Sequence, residues 1–136
     1  GMVFQNYLLM NDRDLFENIA LPLHVLGFPK RQITELVEKS LDEFGLSNKV
    51  NHYPHELSGG EQQRACVARA MIKDPDILLA DEPTGNLDPV TSFELIKIFE
   101  KINKAGTTIL MASHNYNLIK GRGHRIIEIQ NGSVRS

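Results

Sequence analysis

The sequence predicts an α/β fold built on parallel strands. Ile77-Leu78-Leu79-Ala80 is an apolar run without polar alternation, and it ends in two adjacent carboxylates, Asp81 and Glu82, before Pro83. A second run, Thr107 to Ala112, is apolar and β-branched. Between the two, Phe93, Ile96, Phe99 and Ile102 form an apolar stripe at helical spacing. Strand, helix and strand in that order make a parallel crossover unit. The unbroken run suits a strand covered on both faces, and ligands of such sheets bind outside the carboxyl ends of the strands, where Asp81 and Glu82 would lie.

The remaining elements follow in chain order. Met2-Val3-Phe4 reads as a short strand, followed by Gln5 and a polar loop around Asn11-Asp12-Arg13. From Asp14, the spacing of Leu15, Ile19, Leu23 and Leu26 predicts a helix, disturbed at Pro22 and closed by Gly27. Ile33, Leu36, Val37, Leu41 and Phe44 predict a second helix, stopped by Gly45. Lys49 to His55 is a polar connection. Ser58 with Glu61 three places on is a capping box opening a helix through Ala65, Ala68 and Met71, which Asp74-Pro75 breaks. Pro89 suits the first position of the helix after Asp88, and Ala105-Gly106 ends it. A short helix is expected near Asn117 to Lys120, then a strand over Ile126, Ile127 and Ile129, with Asn131-Gly132 turning the chain into a final strand.

Composition narrows the function classes. The 136 residues fit one domain, and 41% hydrophobic with 24% charged residues is ordinary for a globular chain. A net charge of -2 gives no electrostatic footprint for nucleic acid. The single cysteine, Cys66, excludes an internal disulfide and is expected to be a buried small apolar residue. No apolar run approaches the roughly 20 residues that span a bilayer. His52 and His55 lack a closed ligand set and are expected to be loop residues.

Gly59 and Gly60 at the start of a helix let backbone N–H groups approach a phosphate, whose charge the helix dipole favours. An ordinary capped helix accounts for Ser58 and Glu61 equally well. The wider pattern is more specific. Leu57-Ser58-Gly59-Gly60-Glu61-Gln62-Gln63-Arg64 resembles the signature motif of ATP-binding cassette (ABC) ATPases, and Ile77 to Pro83 resembles their Walker B segment. Gly85-Asn86-Leu87-Asp88 is similar to the D-loop, His114 to the switch histidine, and Gln5 to the Q-loop glutamine. These elements in this order cover essentially the whole chain.

The resemblance implies a partial P-loop NTPase (RecA-like) core with parallel strands plus the family's α-helical subdomain. Residues 1–5 would end the Q-loop strand, 6–75 would form the helical subdomain with the signature helix, and 76–136 the C-terminal half of the ATPase core. It implies ATP and Mg²⁺ as ligands. Asp81 would be the Mg²⁺ partner, Glu82 would orient or deprotonate the attacking water, and His114 would contact the γ-phosphate. Gln5 would sense metal and water. Ser58, Gly59, Gly60 and Glu61 would meet the γ-phosphate of a nucleotide held by a second subunit, and Asp88 would act across that dimer interface. The implied partners are a second copy, meeting the signature and D-loop face, and a membrane permease subunit. The chain would then lie peripherally on the cytoplasmic face of the cell membrane.

No G-x-x-x-x-G-K-[ST] sequence occurs. That loop cradles the α- and β-phosphates, so the chain is expected to be a family member lacking its N-terminal portion, inactive alone, with open strand edges and an apolar face that favours self-association. ABC-type ATPases of DNA repair and chromosome maintenance share the signature and Walker B elements. They insert long coiled coils between Q-loop and signature, whereas the interval from Gln5 to Ser58 is short and has no sustained heptads. A non-catalytic remnant that only binds a partner is the third reading.

Overall fold

The computed structural model describes residues 1–135. Three parallel strands form the main sheet: β1 (Met2–Phe4), β2 (Ile77–Asp81) and β3 (Thr108–Ala112), with β2 in the centre. The helices are α1 (Leu15–Val25), α2 (Lys30–Glu43), α3 (Gly59–Met71), α4 (Pro89–Lys104) and the short α5 (Tyr116–Ile119). β4 (Glu128–Gln130) and β5 (Ser133–Arg135) form a separate antiparallel hairpin. The polar connection around Lys49 to His55 contains two 3₁₀ turns, Ser47–Lys49 and Pro54–Glu56. Among the described residues, no helix is long and apolar enough to cross a membrane.

Local chemistry sets the helix ends. Asp14 caps α1 by accepting from the Glu17 amide at 2.9 Å, Ser58 caps α3, and Asp88 caps α4 ahead of Pro89. After α1, Gly27 adopts φ +78°, which lets the Phe28 amide reach the Leu23 carbonyl at 3.1 Å and its own amide reach His24 at 3.0 Å. Gly45 repeats that arrangement after α2, with the Leu46 amide on Leu41 at 2.7 Å. Pro22 lies inside α1 and does not end it, although it removes one backbone donor from the helix.

One core joins the helices to one face of the sheet. Val3, Leu78 and Ala80 point into it, against Leu15, Ile19 and Leu23 of α1, Val67 of α3 and Ile96 and Phe99 of α4. The expectation that β2 is covered on both faces is corrected here. Leu78 is fully buried, but Ile77 is 52% exposed and Leu79 38%. Met2, Phe4 and Leu110 share this open face. A uniformly apolar run carries no mark of which side a helix covers, because the period-2 signal is missing.

The later strand is also shorter than expected. Ile126 and Ile127 precede it, and only Ile129 lies inside β4, where it stands 71% exposed. The Asn131-Gly132 turn is present, both residues having positive φ (48° and 78°), as a two-residue hairpin requires. The segment before β4 is clasped to α4. Arg122 Nε donates to Glu100 Oε2 at 3.0 Å, its second amino group bonds the other carboxylate oxygen, and His124 Nε2 lies 2.7 Å from Oε2. The Arg122 guanidinium also lies over the Phe93 ring, 4.5 Å from its centroid.

Two outcomes follow from this packing. The hydrogen bonds from Arg122, then those from His124, hold the Glu100 carboxyl down at about 2 rather than its ordinary 4.5. A lowered folded-state value means this stabilisation is complete above about pH 4.5 and is lost as pH falls toward about 2. Thermal melts across that window should show Glu100→Gln losing part of the acid-dependent fall in Tm; an unchanged pH profile would contradict the clasp. The open sheet face should drive association. Light scattering should find oligomers that grow with concentration and diminish in Leu79→Lys/Leu110→Glu, and a clean monomer of the unmutated chain at all concentrations would count against it.

Candidate functional site

The parallel register carries three strand ends to one rim. Phe4 pairs with Asp81, and Asp81 with Ala112, so the residues after each strand leave the sheet side by side. These are Gln5 after β1, Glu82 after β2 and Ser113-His114 after β3. Open α/β sheets place ligands at this edge because the loops there, unlike the strands, can turn side chains toward a common point.

Glu82 leaves the strand through a left-handed turn, at φ +47°. A non-glycine residue holds that conformation only where its surroundings over-determine it. Here the Glu82 amide donates to the Ala112 carbonyl at 2.8 Å, and its own carbonyl accepts from the Gly85 amide at 3.1 Å. The turn aims the carboxylate across β3, where Oε1 lies 3.3 Å from His114 Nε2. Glu82 is largely covered, whereas His114 is 97% exposed. The pair thus joins a fixed carboxylate to an imidazole open to ligand or solvent, a combination able to accept, hold or pass a proton.

Gln5 lies against the turn that follows. Its Nε2 donates to Asn86 Oδ1 at 3.2 Å, and Asn86 Nδ2 donates back to the Gln5 carbonyl at 3.0 Å. Gly85 permits the approach, since a Cβ there would sit 2.5 Å from Gln5 Cδ. Asp81 is exposed at the end of β2, one strand from Gln5. Among the described residues no group of three or more histidine, cysteine or acidic side chains could enclose a metal. One carboxylate and one amide oxygen suit Mg²⁺, which keeps several waters and takes few protein ligands.

At the start of α3 the capping box is complete. The Glu61 amide donates to Ser58 Oγ at 3.1 Å, and the Ser58 amide to Glu61 Oε1 at 2.9 Å. That second bond is the main reason the Glu61 carboxyl sits below its usual range. These polar groups are therefore engaged, while the amides of Gly59 and Gly60 belong to the first turn, which has no intrahelical acceptors. They border a groove of about 300 Å³ shared with Asn86, Leu87, Asp88 and Thr91. Both glycines are also packing residues. A Cβ on Gly59 would meet the Tyr7 hydroxyl at 3.0 Å, and one on Gly60 the Thr91 methyl at 2.6 Å. Asp88 caps α4 by accepting from the Thr91 amide at 3.3 Å, and its carboxyl is lowered by hydrogen bonds from Thr91.

The structure therefore brings Gln5, Asp81, Glu82 and His114 to the rim and Ser58, Gly59, Gly60 and Asp88 around the groove, whereas Glu61, turned back onto the Ser58 amide, does not line it. His52 and His55 lie in the 3₁₀ connection, His55 stacked on Tyr53. Cys66 is buried, and burial pushes its thiol up to about 12, but it also donates to the Tyr7 carbonyl. Two polar positions have buried roles that the sequence does not assign. Asn18 is fully buried, accepting from the Met10 amide at 2.7 Å and donating to the carbonyls of Met10, Arg13 and Asp14, so it folds the loop after Gln5. Gln63 is fully buried in α3 and bonds the Phe4 and Pro83 carbonyls. No sequence signal distinguishes Asn18 from a solvated amide, and the place of Gln63 in the Leu57–Arg64 motif does not say that its side chain is buried.

Comparison with known proteins shows the family. The chain is 50% identical over 134 residues to the cell division ATP-binding protein FtsE of Streptococcus pneumoniae, covering 98% of this chain and 58% of that protein. It is 45% identical to FtsE of Escherichia coli and to FtsE of Mycobacterium tuberculosis, covering 60% and 58% of those proteins. The chain thus spans somewhat over half the length of the curated relatives it matches. Its fold is similar to that of cbiO1 from Clostridium perfringens, described as part of the ABC transporter complex cbiONQ, with a TM-score of 0.80 and 27% identity over 88% of this chain and 48% of the other. The ABC transporter family model matches residues 1–85. A carboxylate-tipped strand, a glycine-opened helix and that match lead to one assignment: this chain belongs to the ABC transporter family.

Proposed function

We propose that this chain is the signature and Walker B portion of an FtsE-like ATPase, which in its whole form hydrolyses ATP as a homodimer and drives an FtsX-like membrane permease. It would sit in the cytoplasm, peripherally on the inner face of the membrane through that partner. The observation that carries the reading is the 3.3 Å contact between Glu82 and His114 at the carboxyl rim of the sheet. A LolD- or MacB-like export role would use the same residues.

Phosphoryl transfer needs positioning and charge neutralisation more than covalent chemistry. Glu82, held by its constrained turn, would orient the attacking water and accept its proton. His114, reaching from the next strand, would contact the γ-phosphate and keep it in line with that water. Mg²⁺ bound to Asp81 and Gln5 would neutralise phosphate charge. The Gln5–Asn86 exchange of hydrogen bonds would tie that cation site to the D-loop, and so to Asp88 and the groove a second subunit's nucleotide would enter. The first-turn amides of Gly59 and Gly60 would face that nucleotide.

Three outcomes test this. In the whole protein containing this segment, Glu82→Gln should lower kcat at least 100-fold with little change in KM, as loss of a water-orienting base does; an unchanged kcat contradicts the role. The 136-residue chain itself contains no G-x-x-x-x-G-K-[ST] sequence, so isothermal titration should find no micromolar Mg·ATP affinity. Micromolar binding would overturn that part of the reading. Finally, Gly60→Ala should cost about 1–3 kcal/mol by driving a methyl onto Thr91, and Thr91→Ser should restore most of it. If phosphate approach also requires Gly60, the double variant of the whole protein recovers stability without recovering turnover.

A further inference from the structure

Helix α3 carries a row of donors on the side facing the segment after β1. Gln63, Cys66 and Arg69, three residues apart, donate to the carbonyls of Phe4, Tyr7 and Leu8. Gln63 differs from the other two in reaching a second segment. Its Nε2 bonds the Phe4 carbonyl at 3.0 Å and the Pro83 carbonyl at 2.5 Å. Phe4 directly precedes Gln5, and Pro83 directly follows Glu82. One amide nitrogen therefore spans the two strand exits that carry the cation-side and water-side groups.

The orientation of that amide is forced. Both neighbours are carbonyl oxygens, so only the –NH₂ end can face them, and its two hydrogens match two acceptors. Gln63 is fully buried, and its Oε1 has no donor among the described residues. Buried polar atoms are rarely left so, and methionine or leucine would fill the same space without that penalty. What the amide supplies is thus the pair of bonds. No other hydrogen bond from α3 reaches the Glu82–Pro83 turn among the described residues.

We propose that Gln63 is a positioning residue that couples helix α3, whose first turn faces the nucleotide groove, to Gln5 and Glu82 at the rim. The proposal rests on the ATPase reading for its purpose, but its mechanics do not. A shift of α3 along or about its axis moves Nε2, and the two bonded carbonyls move with it. The Phe4 carbonyl is bonded directly to the Gln5 nitrogen, and the Pro83 carbonyl lies one residue beyond Glu82 in the same turn. The left-handed turn at Glu82 then answers to α3 as well as to β3.

Amide exchange followed by NMR on the folded chain tests this without nucleotide. The Gln63 side-chain –NH₂ should exchange with water far more slowly than a free glutamine amide. Gln63→Met should raise exchange at the Gly85 and Leu87 amides at least tenfold, shift the Gln5 and Asn86 side-chain amide resonances, and leave Val37 and Leu41 in α2 unchanged. Gln63→Glu should recover protection at Gly85 as pH is lowered, when the carboxyl regains a proton to donate. A freely exchanging Gln63 amide would overturn the proposal, as would a Gln63→Met variant that loosens α2 as much as the turn, or neither. If Gln63→Met does not fold, the unmutated side-chain amide still decides. Failure here leaves the ATPase reading standing, since that reading is tested by turnover in Glu82→Gln.

Discussion

The site depends on one constraint: β2 is hydrogen-bonded in parallel register to a strand on each side, with all three ending at the same level. Phe4, Asp81 and Ala112 align across the sheet, so Gln5, Glu82 and His114 emerge together although they are far apart in the chain. Slipping β1 or β3 by one residue would turn its side chains to the opposite face and break the alignment. The register is held by burial, because only the observed pairing puts Val3, Leu78 and Ala80 on the covered face.

From that alignment the helices convert a sheet edge into a two-sided site. Crossover helix α4 begins at Asp88, close to the rim, and α3 brings its glycine-opened first turn against it, with Gly60 in contact with Thr91. The groove between the two helix starts and the rim around Glu82 share the Asn86 turn as a wall. The Asn86–Gln5 pair and Gln63 bridge the two sides with hydrogen bonds. The clasp of Arg122 and His124 on Glu100 secures the chain beyond α5 to α4.

Much of this was legible in the residues. Gly27 and Gly45 mark helix ends because their left-handed backbone closes the last turn, and Asp14, Ser58 and Asp88 mark helix starts because their oxygens accept first-turn amides. The rim was legible because an apolar run ending in Asp81-Glu82 has one natural place in a parallel sheet. What was not legible is whatever the third dimension decides. The run from Ile77 to Ala80 does not say that Leu78 is covered and Ile77 open. Nothing about Gln63 or Asn18 as amides says that they are buried donors, since each is chosen by carbonyls contributed from other segments. Ile126 and Ile127 looked like strand, but pairing with β5 begins only at Glu128.

In the proposed reading Gln5, Asp81, Glu82 and His114 form one rim that receives a metal-bound phosphate. Its most direct test is paramagnetic broadening by Mn²⁺ with ATP, read by NMR at concentrations high enough to populate weak binding. The resonances of these four residues should broaden together, while Val37 and Leu41 of α2 stay sharp. Broadening centred on His52 and His55, or none at the rim, would contradict it.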